Sequence, residues 1–109
     1  MVIYNVTSTM DARVAPIWLE WIRGHIPQVL ATGLFADARL TEVTIDRDEG
    51  ARTYSVQYKA HSREALQTYY EKYAEALRRE GVQKFGDHVV SFRTELDVID
   101  EYRVTPNLN

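Results

Sequence analysis

The first residue whose type could do chemistry is His25, in the stretch WIRGHIPQVLATG. An imidazole titrates near neutral pH, so His25 could act as a general acid or base or could anchor a ligand. Trp18 and Trp21 precede it at helical spacing on the same face, which makes them candidate ligand contacts. A histidine near a helix end can also simply cap carbonyl groups and gain from the helix dipole. We predict a site on Trp18, Trp21 and His25, with the capping role open beside it.

The second candidate is Arg93, which stands two residues before Glu95 and therefore on the same face of a predicted strand. The ordinary interpretation is that these two side chains pair with each other. The alternative is that Arg93 holds a carboxylate-bearing ligand, because a planar guanidinium can donate two parallel hydrogen bonds to a carboxylate. Both interpretations remain open at the level of sequence.

Several other chemistries find no support in the sequence. The chain has no Cys, which excludes thiol catalysis and thiolate metal sites. His25, His61 and His88 lie far apart and share no metal-ligand spacing, so no metal site is predicted. Because there is also no glycine-rich phosphate loop and no nucleophile motif, we predict no cofactor.

Composition narrows the class of protein. A chain of 109 residues suits one domain with one core. Its net charge of −3 argues against nucleic acid and anionic membrane surfaces as partners. The start MVIYNVTSTM lacks the features of a secretory signal, and no run of roughly 20 apolar residues could span a membrane. We expect a cytoplasmic protein with one domain, 1–100, and a polar tail, 101–109.

The elements that must position these residues follow from periodicity. Runs rich in β-branched and aromatic residues predict four strands, VIYNVTST, LFADARLTEVTID, ARTYSVQYKA and HVVSFRTELDVI, with RDEG as a hairpin turn. A first helix should end near Gly24, because Pro27 cannot continue its hydrogen bonds, and a short turn should then close at Gly33. A second helix should begin after the N-cap Ser62 and stop at Gly81.

The element order β-α-β-β-α-β predicts a ferredoxin-like α+β fold. Right-handed crossovers would put both main helices on one face of a four-stranded antiparallel sheet. Alternation assigns an apolar set to that face: Tyr4, Val6, Tyr54, Val56, Tyr58, Val90, Phe92, Leu96 and Val98. It assigns a polar set to the other face: Asn5, Thr7, Ser55, Gln57, Ser91, Arg93 and Glu95.

The polar face has two interpretations. It could simply face water, as one face of an antiparallel sheet often does. Alternatively, two copies could press these faces together into a dimeric α+β barrel that encloses Asn5, Thr7, Gln57 and Arg93. Buried polar groups cost about 1–3 kcal/mol each when unpaired, so such a barrel must satisfy them with one another, with water or with a polar ligand.

Five segments, IYNVT, HIPQVLATG, YSVQY, LRREGVQKFGD and SFRTEL, resemble a family of short bacterial proteins known only as a domain of unknown function. The resemblance covers Val2 to Ile99 and implies a ferredoxin-like fold without an assigned activity. The pattern of Trp18, Trp21, His25 and Pro27 is also similar to that of the dimeric α+β barrel superfamily. That similarity implies that His25 faces a pocket between helix and sheet.

Two hypotheses for function follow. The first is a homodimeric α+β barrel that binds a small polar or aromatic molecule, with cofactor-free enzymatic activity left open. In it His25 is the acid/base or anchor, and Asn5, Gln57 and Arg93 are the polar lining. The second is a non-enzymatic interaction protein that uses the second sheet face to dimerise or to dock a partner.

Overall fold

The computed structural model describes residues 1–44 and 50–105, and nearly all of the predicted RDEG turn lies outside them. The strands are β1 (Val2–Asp11), β2 (Phe35–Glu42), β3 (Ala51–Ala60) and β4 (Val89–Asp97). The helices are α1 (Ala15–Leu30), α2 (Arg63–Lys72) and α3 (Ala74–Phe85), and a short 3-10 turn (Gly86–His88) precedes β4.

The strands form one sheet in the order β2-β3-β1-β4, and every neighbouring pair is antiparallel. This arrangement confirms the predicted ferredoxin-like α+β fold. The core lies between the helices and one face of the sheet, which we call the helix side, and the other face is the open face. Buried aromatic rings fill much of that core: Tyr4, Trp18, Phe35, Tyr54, Tyr58, Tyr69 and Phe85.

The predicted face assignment of β4 was wrong. Val6 pairs with Arg93 and Tyr4 pairs with Glu95, so Ser91, Arg93 and Glu95 lie on the helix side with Tyr4. The apolar residues Val90, Phe92 and Leu96 instead lie on the open face, where they are 65%, 60% and 46% exposed. The alternation of polar and apolar residues shows which side chains share a face of the strand. It does not show which face packs against the helices.

The predicted break in the first helix was also wrong. Helix α1 continues through Gly24 and Pro27 to Leu30. Its buried residues recur at helical spacing along one stripe, namely Trp18, Ile22, His25 and Val29. Packing of this stripe against the sheet outweighs the hydrogen bond lost at Pro27, as tertiary contacts commonly override local propensity. The helix is followed at Gly33 by a positive φ of 79°, where the predicted turn does close.

The second predicted helix is two helices that meet at Tyr73. Ser62 is the expected N-cap, because its hydroxyl accepts a hydrogen bond from the Ala65 amide at 3.0 Å. Gly81 does not stop the helix but lies inside α3. A Cβ at Gly81 would stand 2.7 Å from the Trp21 ring, so glycine lets that ring lie against the α3 backbone.

After β4 the chain turns back over the open face. The Val98 amide donates to the Met1 carbonyl at 3.1 Å, and Lys59 on β3 pairs with Glu101 at 2.8 Å. The Lys59 ammonium, through this hydrogen bond, lowers the pKa of Glu101. In the described part of the chain no helix is long and apolar enough to cross a membrane.

Candidate functional site

A cleft of about 690 Å³ lies on the helix side, between α3 and β4. Helical periodicity builds its α3 wall, because Ala74, Arg78 and Val82 are spaced four residues apart and so line one side of the helix. The full lining comprises Tyr70, Ala74, Glu75, Arg78, Arg79, Val82, Gln83 and Arg93.

Two of the lining residues, Arg78 and Arg93, are hydrogen-bonded to a buried tyrosine, Tyr4, which does not itself line the cleft. The Tyr4 hydroxyl accepts from Arg78 Nη2 at 2.6 Å and from Arg93 Nε at 2.9 Å. Tyr4 is 1% exposed, and its ring is stacked on Tyr58 with centroids 5.8 Å apart. We call this group the Tyr4–Arg78–Arg93 cluster. It joins β1, α3 and β4, so rigid elements fix both guanidinium groups.

The predicted pairing of Arg93 with Glu95 does not occur. Glu95 accepts instead from Arg63 at 2.8 Å and from the Tyr70 hydroxyl at 3.0 Å, while Arg63 also pairs with Asp97. Within residues 1–44 and 50–105, no carboxylate forms an ion pair with Arg93 or Arg78. The two guanidinium groups therefore face the cleft without a charged partner from the described chain.

His25 lies in the middle of α1 and is 8% exposed. Its ring stacks on Trp21 with centroids 4.6 Å apart and planes 21° apart. Its Nδ1 is buried and has no hydrogen-bond partner among the described residues. Because the helix continues to Leu30, the capping interpretation fails, and helical spacing rather than a break turns the ring toward the sheet.

Burial is the main cause that lowers the pKa of His25 to about 4, and the nearby positive charge of Arg78 adds to it. Arg93 acts in the same direction, and Glu80 opposes them. The imidazole is therefore neutral at neutral pH. A neutral ring with one unprotonated nitrogen can accept a hydrogen bond, but with so low a pKa it is a weak general base.

Two smaller hollows lie beside His25 and the tryptophans, and each shares at least one lining residue with the cleft. A cavity of about 60 Å³ borders His25, Trp18 and Tyr4, and a hollow of about 280 Å³ borders Trp21, Gly81 and Val82. Arg78 lines both of them as well as the large cleft. Four predicted residues, Trp18, Trp21, His25 and Arg93, are thus brought to one region.

The other two predicted lining residues lie elsewhere. Asn5 and Gln57 are directly paired on the open face, so the sheet separates them from His25 and Arg93. The Asn5 side chain accepts from the Ser55 hydroxyl and donates to the Thr7 hydroxyl at 3.4 Å. The residues that were predicted to line one site therefore lie on two different faces of the sheet.

Tyr4 and Arg78 are site residues that were not predicted. Tyr4 was placed only in the apolar core, although a buried tyrosine hydroxyl usually requires a partner. The second helix was predicted to stop at Gly81, too early to show that Arg78 follows Ala74 and precedes Val82 on one stripe. Both signals were in the sequence, but the hydrogen bond between Tyr4 and Arg78 joins residues that are 74 positions apart.

The open face carries a different feature. Val90, Phe92 and Leu96 are exposed apolar residues along this face of β4, with Thr94 between the last two, and we call these three residues the β4 strip. Ile3, paired with Leu96, extends it onto β1.

Among the described residues no three His, Asp or Glu side chains converge as a metal site.

Comparison with known proteins gives a family but no activity. The family model described as Domain of unknown function (DUF4286) matches residues 1–99, and the chain belongs to that family. No functionally curated protein matches the chain.

Solved structures of low sequence identity share the fold. An antibiotic biosynthesis monooxygenase has a TM-score of 0.67 at 16% identity, covering 92% of this chain and 100% of its own. A dimeric ferredoxin-like protein from an uncultured marine organism has a TM-score of 0.73 at 7% identity, covering 93% and 98%. The heme-degrader MhuD from Mycobacterium tuberculosis, with two hemes in its active site, has a TM-score of 0.62 at 14% identity, covering 93% and 99%.

Proposed function

We propose that this DUF4286 member is a homodimer that binds a small molecule in the cleft between α3 and β4. The observation that carries the proposal is the convergence of Arg78 and Arg93 on the Tyr4 hydroxyl beneath apolar walls. Ligand sites are typically concave and mostly apolar, with a few polar groups that fix orientation. The cleft of about 690 Å³ combines apolar surface from Ala74 and Val82 with the guanidinium groups of Arg78 and Arg93.

The role proposed for His25 is that of an anchor. A buried nitrogen left without a partner costs about 1–3 kcal/mol, and such groups in native structures call for a reason. A ligand donor reaching through the adjoining hollows would satisfy Nδ1, which is unpartnered here. The low pKa of His25, about 4, favours this role over that of a general base at neutral pH.

The second copy is proposed to cover the β4 strip. Val90, Phe92 and Leu96 are exposed apolar side chains on the open face, which none of the described helices covers. Burial of exposed apolar side chains of this kind is favourable, because it removes apolar surface from water. Packing two open faces together would also bury Asn5 and Gln57 where polar groups of the partner can pair with them. The dimeric ferredoxin-like protein of the same fold supports this arrangement.

An interaction protein without a ligand is the second candidate function. It is favoured by the position of the β4 strip, which lies across the sheet from the cleft, so dimerisation requires no bound molecule. The two candidates differ in what they predict for the cleft, because only the first requires it to bind anything.

A screen of metabolites by thermal shift, combined with light scattering, tests the proposal. Light scattering should give twice the chain mass of 12.6 kDa. Compounds that stabilise the protein should lose their effect in Val82→Glu, which puts a carboxylate next to Arg78 in the cleft. They should keep it in the control Ile17→Glu, at a half-exposed position on α1.

A mass of one chain would contradict the homodimer. Stabilising compounds that are equally effective on Val82→Glu would place the ligand site elsewhere. A dimer that responds to no compound would favour the interaction protein.

A further inference from the structure

We propose, on the premise of the small-molecule site above, that the ligand is an organic anion. Its head group, a carboxylate or a phosphate, would lie on Arg78 and Arg93, and its body would be a flat apolar ring system. The proposal names the ligand class of the cleft, and it stands on charge, hydrogen bonding and shape.

The charge of the cleft is the first argument. Three arginines and one glutamate line it, namely Arg78, Arg79, Arg93 and Glu75. The chain as a whole has a net charge of −3, so this concentration of positive charge runs against its composition. A positively lined concave site attracts anions and raises their local concentration.

Hydrogen bonding is the second argument. Arg63, whose partner Glu95 also accepts from the cleft residue Tyr70, is already paired with Glu95 and Asp97. In the described ranges, Arg78 and Arg93 donate only to the Tyr4 hydroxyl. Each guanidinium has five N–H donors, so both retain donors for an incoming anion.

The third argument is that the Tyr4–Arg78–Arg93 cluster is arranged in advance. The Tyr4 ring is held by Tyr58, Tyr69 and Tyr70, with centroids 5.6 to 5.8 Å away. Its hydroxyl fixes both guanidinium groups, so binding an anion requires little additional ordering. Planar guanidinium groups suit carboxylate and phosphate oxygens in particular.

The shape of the site defines the body of the ligand. Val82 is 67% exposed and, with Ala74, forms an apolar wall next to the arginines. Beyond Val82 the hollow of about 280 Å³ leads along Gly81 to Trp21. A ring system attached to the head group would lie between Val82 and the Trp21 indole, in contact with apolar surface.

Isothermal titration calorimetry with three matched probes tests the proposal. The probes are 2-naphthoate, 2-naphthyl phosphate and the neutral 2-naphthol, measured on the wild-type protein at neutral pH. At least one anion should bind roughly ten-fold or more tightly than 2-naphthol, since hydrogen bonds between charged groups are stronger than those to a neutral hydroxyl. The stronger anion identifies the head group, and its binding should weaken as salt is raised.

Arg93→Gln should weaken the affinity for the anion roughly ten-fold while leaving the affinity for 2-naphthol unchanged. The control is Arg63→Gln, which removes an arginine that already has acidic partners outside the cleft lining, and it should leave anion affinity at the wild-type value. Circular dichroism checks that both variants fold.

Equal binding of 2-naphthol and both anions, unaffected by Arg93→Gln, would overturn the inference and leave the proposed site intact. Failure of both anions to bind the wild-type protein at millimolar concentration would also overturn it. The proposed function would then depend on its own test, in which Val82→Glu removes the effect of stabilising compounds of any charge.

Discussion

Replacing His25 with phenylalanine should stabilise the protein at neutral pH and more so in mild acid. Phenylalanine keeps a ring against Trp21, whose centroid is 4.6 Å from that of His25. It removes the buried Nδ1 that has no partner. The adjoining cavity of about 60 Å³ gives the slightly larger ring room to settle.

Two contributions set the magnitude. An unsatisfied buried polar atom costs about 1–3 kcal/mol, which the variant recovers at pH 7, less any cost of repacking. The second contribution depends on pH, because burial lowers the pKa of His25 from 6.5 to about 4. Below pH 6.5 the unfolded chain takes up a proton that the folded chain does not, so stability falls as pH falls from 6.5 through about 4. The difference between those pKa values corresponds to a decrease of roughly 3 kcal/mol in the free energy of unfolding of the wild-type protein.

The assay is urea unfolding followed by tryptophan fluorescence between pH 7.5 and pH 4. All variants are compared at one protein concentration, because the stability of a dimer depends on it. Carboxylates titrate in both proteins, so the difference between wild type and His25→Phe isolates His25. His88→Gln, at an exposed histidine, is the control for loss of an imidazole outside the core.

Parallel pH dependence in wild type and His25→Phe would refute the reasoning, since it would mean that His25 titrates alike in the folded and unfolded chains. A large loss of stability in His25→Phe at pH 7 would show that Nδ1 has a partner that the variant removes.

Three further predictions concern packing, capping and assembly. Gly81→Ala should cost roughly 1–3 kcal/mol and change the near-ultraviolet circular dichroism, because its Cβ would stand 2.7 Å from the Trp21 ring; an unchanged spectrum would contradict this packing. Ser62→Ala should cost about 1 kcal/mol in thermal or urea unfolding by removing the acceptor for the Ala65 amide, whereas Ser62→Asp should retain most of the stability. Phe92→Asp, in the middle of the β4 strip, should halve the mass measured by light scattering, and a persistent dimer would show that the strip is not the interface.

The fold was predictable because its signals are local. Alternation marked the four strands, and the hydroxyl of Ser62 marked the start of α2. What failed were positions where distant contacts decide the outcome. Pro27 stays in α1 because a whole stripe of the helix packs on the sheet, and Gly81 stays in α3 because Trp21 lies against it.

The site was only partly predictable for the same reason. Aromatic and imidazole side chains on one helix stripe identified Trp18, Trp21 and His25 without knowledge of the sheet. Arg93 was identified by residue type but assigned to the wrong face, since both faces of the edge strand β4 are exposed in one chain and alternation alone cannot rank them. Predicting Arg78 as a site residue would have required knowing which stripe of α3 packs against β1.

The most direct test of the ligand site is amide chemical-shift mapping in a ¹H–¹⁵N spectrum as 2-naphthoate is added to the protein. The account predicts that the largest changes fall in residues 74–82 of α3 and 89–95 of β4, around the Tyr4–Arg78–Arg93 cluster, and that Arg93→Gln requires roughly ten-fold more 2-naphthoate to produce them. Changes confined to residues 37–41 and 53–59 on β2 and β3, where Arg39 and Lys59 border an open-face hollow of about 470 Å³, would contradict it.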